Sequence, residues 1–80
     1  MEIATVTRMI EAGIPDSQAL VTGDGCNLEA RVVSPAFAGC APLQRQRMVM
    51  ATVKEQLASG EIHALALKTF TPEEWDARQG

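Results

Sequence analysis

The side chains best suited to metal or redox chemistry are few in this chain. His63 is the only histidine among 80 residues, and it stands at the front of an apolar run. The two cysteines, Cys26 and Cys40, do not form a Cys-x-x-Cys pair. Imidazole and thiolate are both metal ligands, but two ligands are too few for a closed zinc site, which takes four. A partly exposed polar residue at a strand start is the structural alternative for His63.

The two cysteines stand in different sequence contexts. Cys26 lies in a polar, glycine-containing stretch, where it is either a functional thiol or a small exposed loop residue. Cys40 follows Gly39 in a turn flanked by prolines, and we expect it to pack as a small hydrophobic side chain. Cys40 is therefore not a candidate ligand.

Sequence motifs for catalysis are absent. Neither Ser17 nor Ser34 belongs to a recognisable nucleophile motif with a nearby histidine. Gly23 and Gly25 lie in a predicted hairpin rather than before a helix, so they do not form a phosphate-binding loop. The chain is therefore interpreted as a non-enzyme.

Composition limits the class of protein. The net charge is −3, with 7 basic and 10 acidic side chains, which argues against attachment to nucleic acid by bulk electrostatics. No apolar run approaches the ~18 residues of a membrane span, and the first residues do not resemble a secretory signal. Two cysteines do not make a disulfide framework. We expect one domain over residues 1–80 in a reducing, cytoplasmic compartment.

The first half of the chain predicts a helix and a hairpin. Ile3, Val6 and Ile10 recur at helical spacing, and Gly13 is placed as the C′ residue that ends this helix. A short apolar stretch over 19–22 and an alternating stretch over 27–33 flank the turn signal Gly-Asp-Gly. These features predict a β-hairpin with one buried face.

The second half predicts a short helical turn around Phe37, a helix, a strand and a final helix. Five apolar residues at helical spacing predict one helix from about residue 42 to 59: Leu43, Val49, Met50, Val53 and Leu57. A third strand covers 61–70. Thr71, Pro72 and Glu74 then form a helix start with a capping box, and Trp75 can fold back as an apolar anchor. We expect the tail 76–80 to fray.

The predicted order α-β-β-(turn)-α-β-α has a consequence for the candidate ligands. The second and third strands flank a helix, so they are parallel if they pair directly. Parallel neighbours begin at the same edge of a sheet. The loop 23–27, with Cys26, and His63 should therefore lie at one edge of the sheet.

Several motifs together resemble the BolA family, in its short-loop, acid-stress, IbaG-like branch. They are the strand ending in Val-Ser, the Phe-x-Gly that begins at Phe37, the helix start Arg45-Gln46-Arg47, the Ile-His-Ala-Leu strand at 62–65, and the end Thr-Pro-x-x-Trp at 71–75. The resemblance covers roughly residues 18–75. It implies a class II KH-like α/β fold, of αββααβα type, with a three-stranded mixed sheet.

The resemblance also implies a partner and a cofactor. Members of the family bind a monothiol glutaredoxin as a heterodimer, and the two proteins share a [2Fe-2S] cluster with glutathione. His63 matches the family's histidine ligand, whereas Cys26 matches the second ligand by region and chemistry. Gln46 stands where the family helix often has histidine, and no role is carried onto it. The isolated chain is then a monomer without the cluster, serving iron–sulfur trafficking or iron, redox or stress regulation.

A nucleic-acid-binding transcriptional regulator is the alternative function. KH-like folds can bind nucleic acid, and Arg45, Arg47 and Lys68 could contribute to a basic patch, although solvated side chains are the default interpretation. The net charge of −3 and the missing Gly-x-x-Gly clamp argue against this alternative.

Overall fold

The computed structural model describes residues 2–24 and 27–79, which form four helices and three strands. The elements in chain order are α1 (Ile3–Gly13), β1 (Gln18–Asp24), β2 (Asn27–Val33), a 3₁₀ turn (Pro35–Phe37), α2 (Pro42–Thr52), α3 (Lys54–Ser59), β3 (Ala64–Phe70) and α4 (Pro72–Gln79). The strand order is β1-β2-β3. β1 pairs antiparallel with β2, and β2 pairs parallel with β3. The αββααβα order and the three-stranded mixed sheet are thus confirmed.

Alternation along the strands gives the sheet one buried face. Leu28, Ala30 and Val32 of β2 are buried, as predicted, and Val21 of β1 lies on the same face. Side chains of the helices and connecting segments complete the core on that face: Val6, Ile10, Ile14, Phe37, Val49, Val53 and Ile62. On the opposite face, Trp75 and Arg78 of α4 contact the sheet, Trp75 through Phe70 and Arg31 and Arg78 through Phe70.

Gly13 is the last residue of α1, but its role differs from the predicted one. It belongs to the helix, and it is not among the glycines with positive φ, so it is not a left-handed C′ residue. An added Cβ would lie 2.5 Å from Cγ2 of Thr52 and 3.1 Å from its Cβ. Glycine is required here because α1 and α2 approach closely.

The single predicted helix over 42–59 is wrong in detail, because it breaks at Val53. This residue has φ −125° and ψ 26°, outside the helical region, while its side chain is fully buried. Leu43 and Met50, two of the residues that gave this spacing, are 58% and 42% exposed and lie outside the core. On a helix with 3.6 residues per turn they point about 100–120° away from Val49, the buried side chain of α2.

The C-terminal helix extends further than predicted. The expected fraying is wrong for residues 76–79, since α4 continues to Gln79, and residue 80 lies outside the described residues. The capping box is confirmed: the Thr71 N–H donates to Oε1 of Glu74 at 3.0 Å, and the Glu74 N–H donates to Oγ1 of Thr71 at 3.2 Å. At the other end of the helix, the Arg78 guanidinium lies 5.5 Å from the ring centroid of Phe70. The capping box fixes the start of α4, and the Arg78–Phe70 contact ties its end to the sheet.

Candidate functional site

The parallel pairing of β2 and β3 places His63 at the predicted edge of the sheet. Asn27, the first residue of β2, pairs with Ala64, the first residue of β3. His63 immediately precedes Ala64 and is exposed. The strand therefore begins slightly later than predicted, and His63 occupies the bend that leads into it. The edge that carries His63 is also the edge where the β1–β2 hairpin turns.

Two neighbouring residues fix the bend that carries His63. Gly60 ends α3 with φ +86°, a left-handed conformation that glycine adopts without a steric penalty. Ile62 is 1% exposed, and its N–H donates to the Gln56 carbonyl at 3.1 Å. Because Ile62 is anchored in the core, the next residue is directed outward. Local sequence thus accounts for the exposure of His63.

The imidazole of His63 lies beside the backbone of Gly60. A Cβ added at Gly60 would be 3.8 Å from both Cδ2 and Nε2 of His63, which is ordinary van der Waals contact. The ring therefore lies next to the end of α3. This placement leaves an exposed imidazole close to the hairpin edge, where a metal ion carried by another molecule can reach it.

Cys26, the second predicted ligand, lies outside the described residues. Its neighbour in the sequence, Asn27, pairs with the neighbour of His63, but the pairing of Cys26 with His63 stays a prediction. Among residues 2–24 and 27–79 there is no group of three or more His, Cys, Asp and Glu side chains that could hold a metal ion. The described part of the chain offers a single imidazole at this edge. A metal site here would therefore need further ligands from elsewhere.

Cys40 lies at the other end of β2 from the candidate edge. It follows the 3₁₀ turn that comes after β2, it is half-buried, and its thiol donates to the Ala36 carbonyl at 3.6 Å. The expectation that Cys40 is a packing residue agrees with this environment. It provides a matched control thiol for Cys26.

An ion pair that the sequence did not indicate joins α2 to α4. Arg45 donates from Nη1 to Oε1 of Glu74 at 2.7 Å and from Nη2 to Oε2 at 3.1 Å. It also donates from Nε to the Cys40 carbonyl at 3.0 Å. The Arg45 side chain is only 12% exposed, so the expectation of a solvated arginine is wrong. The Arg45 hydrogen bonds, with that of the Thr71 N–H, hold the pKa of Glu74 below its usual value.

No helix among the described residues combines the length and the apolar character needed to cross a membrane.

Comparison with known proteins identifies a family. The family model described as BolA-like protein matches residues 8–74. The acid stress protein IbaG of Escherichia coli is 34% identical over 55 residues, which are 69% of this chain and 66% of that protein. The DNA-binding transcriptional regulator BolA of Vibrio cholerae is 40% identical over 60 residues, 75% of this chain and 56% of that protein. The match thus spans just under two thirds of the first relative and little more than half of the second.

A solved structure agrees with the same assignment. The structure of a BolA protein homologue from Coxiella burnetii superposes with a TM-score of 0.85 at 36% sequence identity, covering 95% of this chain and 97% of that one. The resemblance noted from the Phe-x-Gly, Ile-His-Ala-Leu and Thr-Pro-x-x-Trp motifs is therefore confirmed, and so is the small α/β architecture with a three-stranded mixed sheet.

Proposed function

Because the chain belongs to the BolA-like family, we propose that it is an adaptor that binds a monothiol glutaredoxin and shares a bridging [2Fe-2S] cluster with it. The role is iron–sulfur trafficking, or regulation in response to iron, redox state or stress, in the cytoplasm. It is a binding function and not an enzymatic one. The name of the IbaG relative, an acid stress protein, is consistent with a stress-related role.

The observation that carries the proposal is the position of His63. The register Asn27–Ala64 brings the start of β3 to the hairpin edge of the sheet, and His63, one residue earlier, is exposed there. An exposed imidazole at the rim of a rigid sheet can coordinate a metal that a second protein presents. A histidine buried in the core could not do so without opening the fold.

The two proposed ligands, His63 and Cys26, suit a cluster shared between two proteins better than a cluster held by this chain alone. His63 and Cys26 would hold one iron, and the glutaredoxin cysteine with glutathione would hold the other. Mixed cysteine and histidine ligation gives such a cluster a higher reduction potential than cysteine alone. The protein's own contribution is to hold the imidazole in place through Gly60 and Ile62, whose contacts fix the bend before β3.

The test is spectroscopy of the complex with single-site variants. The chain is co-purified with a monothiol glutaredoxin, and visible absorption and circular dichroism are compared with those of the glutaredoxin homodimer. We expect a heterodimer with a distinct spectrum. His63→Ala should abolish the difference, Cys26→Ser should change or abolish it, and Cys40→Ser, the matched thiol control, should leave it intact.

The outcomes separate the two ligand assignments. If His63→Ala leaves the heterodimer spectrum unchanged, the ligand proposal for His63 is wrong. If Cys26→Ser has no more effect than Cys40→Ser, the second ligand is not Cys26. Failure of the wild-type chain to form any complex would refute the adaptor function itself.

Nucleic-acid binding is a second candidate, favoured by the name of the Vibrio cholerae relative, a DNA-binding transcriptional regulator. The charges of this chain give it little support, because Arg45 pairs with Glu74 and Lys68 pairs with Glu29 at 3.4 Å. A gel-shift titration across salt concentrations discriminates between the functions. Sub-micromolar binding with a steep salt slope would favour the regulator.

A further inference from the structure

The outer face of the sheet carries a groove beside Trp75. Alternation places Leu20, Arg31 and Val33 on this face, opposite the core. Trp75 packs against it from α4, with its ring centroid 5.3 Å from that of Phe70. Leu20 is left 55% exposed. This apolar floor lies toward the β1 side of the sheet and is not covered by any described element beyond Trp75.

Two adjoining cavities make up this groove, which we call the Trp75 groove. Their volumes are about 200 Å³ and about 190 Å³, and both are lined by Gln18, Val33 and Trp75. The first cavity extends to Asp16 and Asp76. The second extends past Leu20 to Arg31. The groove therefore has an acidic end, an apolar middle and a basic end.

Arg31 is oriented but not neutralised. Its guanidinium lies 5.0 Å from the centroid of the Trp75 ring, a cation–π contact that holds the group beside the groove. Arg31 makes no hydrogen bond or ion pair with the residues that the structure describes. Its planar fork of N–H donors is thus presented beside an apolar groove, in a geometry that suits a carboxylate.

The edge of β1 beside the groove is partly closed. The Ala19 N–H, which does not take part in the pairing with β2, donates to a carboxylate oxygen of Glu11 at 3.0 Å. A ligand that extended the sheet as an added strand would have to displace this carboxylate. Binding through side chains on the face of the sheet requires no such displacement.

We propose that the Trp75 groove binds a short peptide segment of a partner protein. The segment has an apolar side chain that packs on Trp75 and Val33, an acidic group that pairs with Arg31, and a basic group directed to Asp16 and Asp76. The charge pattern disfavours nucleic acid, because a polyanion would meet two carboxylates and one arginine. His63 does not line this surface, so the interaction is separate from the histidine of the proposed cluster site.

The experiment selects peptides on the wild-type chain from a random library, then measures their affinity by NMR. Trp75 is the only tryptophan, so its indole N–H signal reports on the groove alone. We expect selected peptides to share an apolar residue with an acidic residue on one side and a basic residue on the other. Titration should shift the Trp75 signal.

Charge reversal supplies the decisive comparison. Arg31→Glu should weaken binding of the selected peptides about tenfold or more, as expected for loss of one charge-assisted pair, and should favour peptides with lysine in place of the acid. Arg31→Gln, a smaller perturbation, should weaken binding without that reversal. Lys54→Glu makes the same charge change at an exposed position on α3, outside the groove, and should have little effect.

Three results would overturn the proposal. The first is selection of no common peptide pattern, and the second is an equal effect of Arg31→Glu and Lys54→Glu. The third is a Trp75 signal that responds to single-stranded oligonucleotides but not to the peptides.

Discussion

At the scale of single residues, Gly13 and Thr52 show how a contact distant in sequence decides a residue type. A change of rotamer at Thr52 is unfavourable, because its hydroxyl donates to the Val49 carbonyl at 2.6 Å. This hydrogen bond keeps the Cγ2 methyl group directed toward Gly13. A side chain at position 13 therefore meets a fixed methyl group. The sequence offers the glycine near a helix end, which is why a C′ role was predicted instead.

We predict that Gly13→Ala destabilises the protein despite the better helix propensity of alanine. Propensity favours alanine by about 1 kcal/mol, whereas overpacking of a tight contact costs about 1–3 kcal/mol. Thr52→Ser removes the methyl group and keeps the hydroxyl, so it should recover most of the loss in the double variant. Urea unfolding of the wild type, the two single variants and the double variant measures this. If Gly13→Ala costs the same with and without Thr52→Ser, the assignment is contradicted.

At the scale of elements, Glu74 joins three parts of the fold. Its carboxylate accepts from the Thr71 N–H at the start of α4 and from Arg45 of α2, and Arg45 also holds the Cys40 carbonyl before α2. The capping box was predictable because Thr71 and Glu74 lie within one helical turn. Arg45 is 29 residues from Glu74, and no local pattern indicates their pairing.

The lowered pKa of Glu74 predicts how stability depends on pH. The hydrogen bonds from Arg45, together with that of the Thr71 N–H, favour the ionised form in the folded protein. The resulting stabilisation is fully present above the pKa of the unfolded chain, and it is lost as the pH falls through the lower folded-state value. Glu74→Gln should therefore lower stability near pH 7 and reduce the loss of stability on acidification.

Thermal unfolding between pH 7 and pH 3 measures this effect. Glu73→Gln is the matched control, because Glu73 lies in the same first turn of α4 and makes no side-chain pairing among the described residues. The explanation is incorrect if the two variants have the same pH dependence of the melting temperature.

At the scale of the whole molecule, a core on one face of a three-stranded sheet holds the fold together. The alternation of β2, the order of elements and the parallel pairing could be predicted, because each follows from periodicity and topology. The break at Val53 and the exposure of Leu43 could not. They depend on how the helices meet the sheet, which periodicity along a single segment does not specify.

Phe37 is the largest fully buried side chain, and its replacement tests how narrow the stability margin is. Truncation of a buried phenylalanine to alanine costs about 3–5 kcal/mol. A chain of 80 residues has a total stability of roughly 4–12 kcal/mol. Phe37→Ala should therefore leave the protein partly or largely unfolded at 37 °C by circular dichroism. Leu43→Ala, at an exposed position, should lower the free energy of unfolding by less than about 0.5 kcal/mol. Equal losses for Phe37→Ala and Leu43→Ala would refute the described core.

The central claim concerns the whole complex and rests on one imidazole. Because His63 is the only histidine of the chain, ¹⁵N-histidine can be incorporated into this chain alone and the labelled protein combined with unlabelled glutaredoxin. Pulsed electron paramagnetic resonance of the reduced complex then reports whether a ¹⁵N nucleus is coupled to the cluster spin. We predict a ¹⁵N coupling of the size expected for a directly bound imidazole nitrogen, replaced by the corresponding ¹⁴N coupling when the chain carries unlabelled histidine. A complex that holds the cluster but shows no ¹⁵N coupling would contradict the account.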